Sequence, residues 1–335
     1  MKLRAVLAVF CFLAVFTSAG CASGVAPRSE IWRGFPAKVL ESERMRAVIL
    51  PDYGGAIVSI YDKRNKKEWF WHSAEARRNT AIQQEQQRYI MAGGWEDIFP
   101  SVGPCEIEVE GRGKVVIPDH GELWNRPWKA EMLHNGVKLS IKGNVFDYTL
   151  ERICRLSGNT LYMDYVLTNT GDSTFPFVYA GHPVLAVEGK AHILIAPRAK
   201  TFVYFSAGNR LGKPGNRFPW PFYNETGKQI DASLVDSSEK GKTDKLFIND
   251  IEKGEAGLED AEGRRLMIRF HHDELPVVGV WTNMNAYPPE NPVSVVAIEP
   301  TTSAAETLAE AIAAGSDVEI PAGKTLKWSI SLSVE

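Results

Sequence analysis

The chain has 335 residues, of which 44% are hydrophobic and 24% are charged, with a formal net charge of −3. This composition is typical of globular proteins, provides enough apolar residues for a large core and does not indicate disorder. Lys and Arg are not gathered into a basic stripe, so a nucleic-acid partner is not expected and a small neutral ligand is favoured.

Residues 1–21 have the pattern of an export signal. Two basic residues precede an apolar run over residues 5–16, and small residues follow up to Cys21. The run is shorter than the roughly 20 apolar residues of a membrane-spanning helix. The segment before Cys21 also resembles a bacterial lipobox, although Ser18 stands where that motif usually has Leu, so a lipid anchor through Cys21 and plain secretion both stay open. The protein is therefore expected to be exported, as a periplasmic protein or a membrane-anchored lipoprotein.

The chain beyond the signal is expected to be all-β. Residues 46–50 and 56–61 have the pattern of two strands around a glycine turn. Residues 161–168 alternate between the two faces of a half-buried strand, and residues 326–332 form a final alternating strand. Residues 22–335 contain no linker and no repeat of fixed period, which favours one large β-sandwich domain, with a monomer as the default state.

Helix signals are few. The clearest helix covers residues 304–314, with Ser303 as its expected N-cap, Glu306 as the residue that reaches back to the cap, and Gly315 as the left-handed stop. Residues 208–227 are rich in Gly, Pro and aromatic residues and are expected to form a long surface loop.

Two cysteines, Cys105 and Cys154, lie beyond the signal. In an exported protein two cysteines can pair as a disulfide, and the alternative is that both are buried as small hydrophobic residues; their spacing does not decide. The sequence has no CxxC or HExxH motif. A cysteine-rich or zincin-type metal site therefore has no support.

Three residues carry the chemistry expected of this chain: His120, His182 and Glu299. An ionised Glu, with a reference pKa of about 4.3, accepts a proton readily, and a His with a pKa near about 6.5 can donate one around neutral pH. Each residue also has an ordinary structural explanation: a turn histidine, a histidine held extended by the following Pro183, and a strand-end carboxylate that faces water. Because the three are far apart in sequence, only a fold that gathers strand ends would bring them together.

Four segments, in matching order, resemble the aldose 1-epimerases, or galactose mutarotases, and in particular their divergent bacterial members. They are a Pro-x-His-Gly segment with a downstream Arg and Trp, a second histidine segment, an acidic segment, and a Pro-Gly turn before the last strand. These segments are residues 117–128, 179–185, 280–282 with 296–302, and 320–323. The resemblance implies a galactose mutarotase-like β-supersandwich with one or two short helices, a sugar-binding cleft, and an isomerase that interconverts sugar anomers without a cofactor.

The resemblance also implies roles for the three residues. Glu299 is the base that takes the proton of the anomeric hydroxyl, His182 is the acid that protonates the ring oxygen, and His120 is a second donor to sugar oxygens. Where the better-known galactose mutarotases have Tyr-Phe-Asn-Leu after the second histidine, this chain has Pro183, and their Asn-Arg pair near the first strands is absent. These departures affect the expected sugar specificity more than the expected fold.

Six further residues are candidates for sugar binding. The tryptophans can stack on a pyranose face, with burial in the core as the alternative. The two acidic residues next to Trp95 can accept bonds from sugar hydroxyls, although they can also cap a neighbouring segment, and Asp244 resembles a family position that binds sugar hydroxyls. The arginine can bind an anionic sugar, although an ordinary ion pair is preferred. The six residues are Trp95, Glu96, Asp97, Arg126, Asp244 and Trp281.

Two other functions stay open. A non-catalytic carbohydrate-binding exported protein of the same fold would explain export and tryptophan content without proton transfer. Hydrolysis would need Glu96 or Asp97 at a separation of about 5–9.5 Å from Glu299. Geometry distinguishes the isomerase from the binding protein. An approach of Glu299 and His182 to a common point favours the enzyme, and burial of either residue in a structural hydrogen bond favours binding. Export disfavours a sugar phosphate as the substrate.

Overall fold

The computed structural model describes residues 25–73, 93–109, 111–225 and 227–335. The predicted signal and Cys21 lie outside the described residues, so export and lipid anchoring stay predictions. Within the described ranges, no helix is both long enough and apolar enough to cross a membrane.

The described residues contain 27 strands, one 3₁₀ turn at Ala207–Asn209 and one α-helix, α1 (Leu308–Ala314). The strands are β1 (Arg28–Trp32), β2 (Phe35–Glu41), β3 (Met45–Leu50), β4 (Ala56–Asp62), β5 (Lys67–Glu68), β6 (Gly94–Ile98), β7 (Cys105–Val109), β8 (Gly113–Ile117), β9 (Lys129–Leu133), β10 (Gly136–Lys142), β11 (Tyr148–Ser157), β12 (Thr160–Asn169), β13 (Phe175–Phe177), β14 (Ala180–Ala186), β15 (Lys190–Ile195), β16 (Lys200–Ser206), β17 (Arg217–Pro219), β18 (Phe222–Glu225), β19 (Lys228–Asp231), β20 (Leu234–Asp236), β21 (Lys242–Asn249), β22 (Glu255–Asp260), β23 (Arg265–Phe270), β24 (Val277–Met284), β25 (Ser294–Thr301), β26 (Val318–Ile320) and β27 (Thr325–Val334).

Two large sheets hold most of these strands. The first sheet has 12 strands in the order β1-β2-β3-β4-β6-β14-β25-β24-β21-β16-β17, with β5 beside β4. The second sheet has nine strands in the order β20-β15-β22-β23-β27-β12-β11-β10-β9. Three further pairs stand apart, β13-β26, β18-β19 and β7-β8. Neighbouring strands in the centre of both large sheets run antiparallel.

A continuous cluster of buried apolar side chains joins the two large sheets. Ile57 and Ile298 contribute from the first sheet, and Leu150 and Ile330 contribute from the second. Successive side chains of a strand point to opposite faces of its sheet. Each strand of the first sheet therefore sends alternate residues inward to this core and outward to the opposite face.

The strand predictions are confirmed. Residues 46–50 and 56–61 form β3 and β4, which pair antiparallel around the glycine turn. Residues 161–168 lie inside β12, whose side chains alternate between buried and partly exposed. The last predicted strand lies inside β27.

The predicted helix exists, but it begins later than expected. Its N-cap is Thr307, whose hydroxyl accepts from the backbone N–H of Glu310 while the Glu310 side chain accepts from the Thr307 N–H. The pattern Ser/Thr-x-x-Glu occurs twice in succession, and the second copy is the capping box. Ser303 instead bonds to the Ser316 hydroxyl. The stop at Gly315 is confirmed, since this residue is left-handed with φ 65°.

One other expectation is wrong, and the open question of the two cysteines has an answer. Residues 208–227 do not form a long surface loop, because β17 pairs with β16 at the edge of the first sheet and Phe218 and Trp220 are buried. No disulfide joins Cys105 and Cys154, since both are free thiols and Cys154 is fully buried in β11. Phe218, Trp220 and the thiol of Cys154 pack in the hydrophobic core.

Candidate functional site

The strand register brings His182 and Glu299 together. In the first sheet β14 lies between β6 and β25, and Glu96 of β6 is directly opposite His182 of β14. On the other side, the antiparallel register between β14 and β25 puts His182 opposite Glu299. Directly opposite side chains share one face at about 4.5–5.5 Å between Cβ atoms. Glu96, His182 and Glu299 therefore form a cross-strand row on the outward face of the sheet.

The third predicted residue, His120, joins this row from the turn after β8. Its backbone is left-handed, with φ 58°, and its N–H donates to the Val102 carbonyl at 2.7 Å. The imidazole contacts Asp119 through Nδ1 at 3.0 Å from Oδ2. Its ring lies edge-on to that of His182, with 5.7 Å between ring centroids. All three residues expected to act on a sugar are thus in one cluster.

Glu299 is buried inside β25 and does not face water as a strand-end carboxylate. Its Oε1 lies 3.6 Å from Nε2 of His182, and its side chain is 1% exposed. Its Oε2 accepts from Nζ of Lys245 at 2.7 Å. Among the described residues, Oε1 of Glu299 and Nδ1 of His182 are buried without a hydrogen-bond partner.

Lys245 is a site residue that the sequence reasoning missed. It lies on β21, and its Nζ contacts Glu299 and also Oε1 of Glu306 at 2.9 Å. Strand β24 separates β21 from β25, and Gly279 of β24 is directly opposite Glu299. A Cβ at Gly279 would lie 2.9 Å from Oε2 of Glu299. Because Gly279 has no side chain, the space beside Glu299 stays open and Lys245 can reach the carboxylate.

Charge neighbours set the protonation of the carboxylates. Burial would raise the pKa of Glu299, but the charges of Lys245 and His182 outweigh it and lower that pKa below its ordinary value. Burial would lower the pKa of Lys245, but Glu299 and Glu306 raise it. The pKa of Glu306 is raised, mainly by burial, with Glu299 adding to the effect. Glu299 and Lys245 are thus a charged pair at neutral pH.

The pKa values of the two imidazoles shift in opposite directions. Burial is the largest effect on His182 and lowers its pKa, with the neighbouring His120 adding to the decrease and Glu299 opposing it. Burial would also lower the pKa of His120, but the hydrogen bond and charge of Asp119, helped by Glu96, raise it. His120 therefore holds a proton at higher pH than His182 does.

Two residues predicted to bind sugar serve the core instead. Trp95 is fully buried, its Nε1 donates to Oδ1 of Asp97 at 3.1 Å, and its ring packs on Gly181. Asp97 is 1% exposed. The prediction that Trp95 and Asp97 contact sugar is wrong, because strand alternation turns both inward. Asp97 also accepts from Arg152, Tyr165 and Tyr179.

Asp244 and Arg126 also have structural partners. Asp244 is fully buried and accepts from Ser206 at 2.6 Å and from Arg210, so its predicted contact with sugar hydroxyls is wrong. It lies on the face of β21 opposite to Lys245. Arg126 forms an ion pair with Glu122 at 2.8 Å, which confirms the preferred interpretation of this residue.

Glu96 and Trp281 are the sugar-binding candidates that lie on the outward face. Glu96 is partly buried next to His182. Trp281 is partly exposed and lies directly opposite Lys245 across β24 and β21. In the described ranges, no group of three or more His, Cys, Asp or Glu side chains is arranged to hold a metal ion.

Solved structures share this fold. A galactose mutarotase-like protein from Clostridium acetobutylicum superposes with a TM-score of 0.67 at 16% identity, over 93% of this chain and 99% of that chain. A galactose mutarotase related enzyme from Lactobacillus acidophilus gives 0.64 at 17% identity, over 89% and 97% of the two chains. A galactose mutarotase-like protein from Lactobacillus casei gives 0.64 at 15% identity, over 89% and 100%.

No family model and no curated protein sequence matches this chain. The structural likeness shows that the chain has the galactose mutarotase-like fold, with a strongly diverged sequence. It confirms the all-β fold class expected from the resemblance.

Proposed function

We propose that this chain, which has the galactose mutarotase-like fold, is an exported aldose 1-epimerase-like isomerase of a free sugar or of the reducing end of an oligosaccharide. The observation that carries the proposal is Oε1 of Glu299, a buried, charged carboxylate oxygen that accepts no hydrogen bond from the described residues and lies 3.6 Å from Nε2 of His182. His120 lies in contact with the same imidazole. A carboxylate base and an imidazole at this separation can each bind one of the two oxygens on the anomeric carbon of an aldose.

The proposed reaction is ring opening by paired proton transfers. Oε1 of Glu299 takes the proton of the anomeric hydroxyl, the bond between C1 and the ring oxygen breaks, and an imidazole donates a proton to that oxygen. The products are the open-chain aldehyde and a hydroxyl. Rotation about the bond between C1 and C2 followed by the reverse transfers closes the ring as the other anomer.

The electrostatics refine which imidazole donates. Since the pKa of His182 is lowered and that of His120 is raised, a proton shared by the two imidazoles resides on His120 rather than on His182. We therefore assign His120 as the holder of the donated proton and His182 as the residue that orients the sugar against Glu299. This division differs from the one that the family resemblance implies, in which His182 is the acid.

Charge at the cluster favours a neutral sugar. Four carboxylates, Glu96, Asp119, Glu299 and Glu306, outnumber the two cations, which are Lys245 and His120 when it holds its proton. A phosphate or carboxylate on the substrate would be repelled there. Trp281 supplies a partly exposed ring on the same face for the apolar side of a pyranose.

A glycan-binding protein without catalysis is the second candidate, and one observation favours it. Glu299 is 1% exposed and its Oε2 is held by Lys245, which is the burial in a structural bond that the binding interpretation expects. Oε1 of Glu299, which approaches His182, meets the condition for an enzyme. Oε2, which is bonded to Lys245, meets the condition for a binding protein. An activity measurement must separate the two functions.

The test is anomer interconversion measured by proton NMR exchange on glucose, galactose and short oligosaccharides. The proposal expects faster exchange with the mature protein and a loss of about 10²–10⁴-fold in Glu299→Gln, with a large loss also in His120→Asn and His182→Asn. Glu319→Gln and His192→Asn, at exposed positions on β26 and β15, are matched controls and should retain full activity.

The contrary outcomes are distinct. Sugar binding without faster exchange would make the protein a glycan receptor and remove the proposed mechanism. Release of a reducing sugar from a glycoside, abolished by Glu96→Gln and by Glu299→Gln, would indicate hydrolysis instead. Thermal unfolding of each variant shows whether a loss of activity reflects loss of the fold.

A further inference from the structure

We propose that Lys245 is the positioning residue of the base, which fixes Oε2 of Glu299 so that Oε1 is presented to the sugar as a charged and oriented acceptor. This inference rests on the proposed function and names a residue that acts on the reaction through Glu299. Lys245 itself does not touch the reacting atoms.

The geometry of the lysine separates the two oxygens of the base. Nζ lies 2.7 Å from Oε2 of Glu299, while Oε1 of the same carboxylate makes no hydrogen bond in the described part of the chain. A carboxylate that accepts at only one oxygen keeps lone pairs for a substrate hydroxyl at the other. The ion pair therefore orients the carboxylate without occupying the atom that acts.

The site is built to admit this lysine. Gly279 leaves open the space between β21 and β25, and a Cβ there would approach Oε2 of Glu299 to 2.9 Å. The ring of Phe247 lies beneath the ammonium, 5.5 Å from Nζ to the ring centroid. The side chain of Lys245 is 11% exposed. A flexible side chain is thus confined to one position.

The charge of the lysine is necessary because Glu299 is buried. A carboxyl group in an apolar site without a cation becomes neutral, since burial disfavours the charged form. A neutral carboxylic acid cannot accept the anomeric proton. Lys245 therefore determines the pH above which Glu299 is a base.

Other charged groups face the same carboxylate and belong to the account. His182 and Glu96 lie beside it on β14 and β6, and His120 approaches from the turn after β8. Glu306, before α1, shares the ammonium of Lys245, so a single positive charge serves two carboxylates. The titratable groups that act on Glu299, on Lys245 or on their direct neighbours are Glu96, Asp119, His120, His182, Tyr204, Glu306 and Glu310.

The test is the pH dependence of kcat/KM for anomer exchange in Lys245→Met. Without the cation, the acid limb of the profile should move to higher pH by about 1–3 units, because an opposite charge at this distance shifts a carboxyl pKa by that amount. Lys245→Arg keeps the charge and should return the limb toward its wild-type position. Lys242→Met, on the same strand but paired with Glu239, should leave the limb unchanged.

A readout that does not depend on activity accompanies the profile. The carboxyl ¹³C signal of Glu299, assigned by its absence in Glu299→Gln, reports the pKa directly, and that pKa should rise in Lys245→Met. If Lys245→Met does not fold, Lys245→Gln keeps a donor without the charge and should show the same rise.

The outcomes separate the two proposals. An active wild type whose acid limb and Glu299 pKa are unchanged in Lys245→Met overturns the role of the lysine and leaves the proposed function in place. An inactive wild type overturns the proposed function, and with it the positioning of a base, even if the Glu299 pKa responds to the lysine.

Discussion

Asp97 and Glu299 are both buried carboxylates in the first sheet, and each contacts a buried cation. The Arg152 guanidinium lies 2.5 Å from Asp97, and the Lys245 ammonium lies 2.7 Å from Glu299. The difference is in the remaining bonds. Asp97 faces inward and Oδ1 accepts three further bonds, whereas Glu299 faces outward and Oε1 accepts none from the part of the chain that the structure describes. The three donors to Oδ1 of Asp97 are Trp95, Tyr165 and Tyr179, at 2.8–3.1 Å.

This comparison suggests what distinguishes a structural carboxylate from a reactive one. Burial and ion pairing are common to both and do not separate them. Saturation of the acceptor oxygens does, because a saturated carboxylate has no lone pair for a substrate, and an unsaturated one carries a cost that a ligand can relieve. Asp97 should therefore matter for stability, and Glu299 should matter for activity.

The largest effect is expected for Asp97→Asn. The change leaves the fully buried Arg152 without a counter-charge, which should lower the free energy of unfolding by about 3–5 kcal/mol. Urea unfolding measures the loss. Glu299→Gln should cost much less stability, because Lys245 keeps Glu306 at 2.9 Å and the amide oxygen still accepts from Nζ.

Exchanged effects in the two variants would contradict these roles of Asp97 and Glu299. A stable Asp97→Asn protein that lost sugar exchange would make Asp97 part of the site. A Glu299→Gln protein that lost as much stability as Asp97→Asn would make Glu299 a structural residue.

A smaller effect is expected for Tyr165→Phe. The change removes one donor to Oδ1 of Asp97, at 2.9 Å, and leaves the ring stacked on Trp328. A hydrogen bond to a charged group contributes about 1.5–3 kcal/mol, so thermal or urea unfolding should show a loss of that size. Tyr162→Phe is the matched control on the same strand, since Tyr162 is 45% exposed, and its stability should not change. Equal losses in both variants would contradict the importance of the Asp97 network.

The sequence was sufficient for the fold because strand signals repeat along the chain. Alternation and glycine turns predicted β3, β4, β12 and β27, and segments around His120, His182 and Glu299 indicated the fold family. These signals are local, and a strand needs only its own residues to be recognised. The cross-strand register that joins the three residues is a property of the whole sheet.

The sequence did not predict which of two adjacent charged residues faces the core and which faces the site. Glu96 and Asp97 are neighbours, as are Asp244 and Lys245, and in each pair one side chain faces the core and the other the site. Alternation predicts that the two point apart but does not say which is inward, because both faces of this sheet bury polar residues. In the structure, Asp97 and Asp244 face the core. Glu96 and Lys245 face the site. Lys245 lies directly opposite Trp281 and Asp244 lies opposite Thr282, and this register is not visible in the sequence.

The smallest effect is expected at the exposed side of the Glu299 cluster, in Asp119→Asn. Asp119 raises the pKa of His120 against the opposing effect of burial, so its removal should lower that pKa. A histidine with a raised pKa stabilises the folded protein below the unfolded value of about 6.5, and the contribution disappears as the pH rises through the folded pKa. Because the pair is partly exposed, Asp119→Asn should cost at most about 1 kcal/mol, and only at acidic to neutral pH.

The effect on activity should be clearer than the effect on stability. If His120 holds the donated proton, the basic limb of the exchange profile should move to lower pH in Asp119→Asn, together with the His120 pKa measured by proton NMR of the imidazole. Asp273→Asn, beside His272 on the surface, alters a similar pair at 3.2 Å and should leave the limb in place. A His120 pKa that falls while the basic limb stays fixed would return the donor role to His182. Unlike the saturated Asp97 network, the open cluster around Glu299 should thus respond to a single charge change mainly in its pH profile.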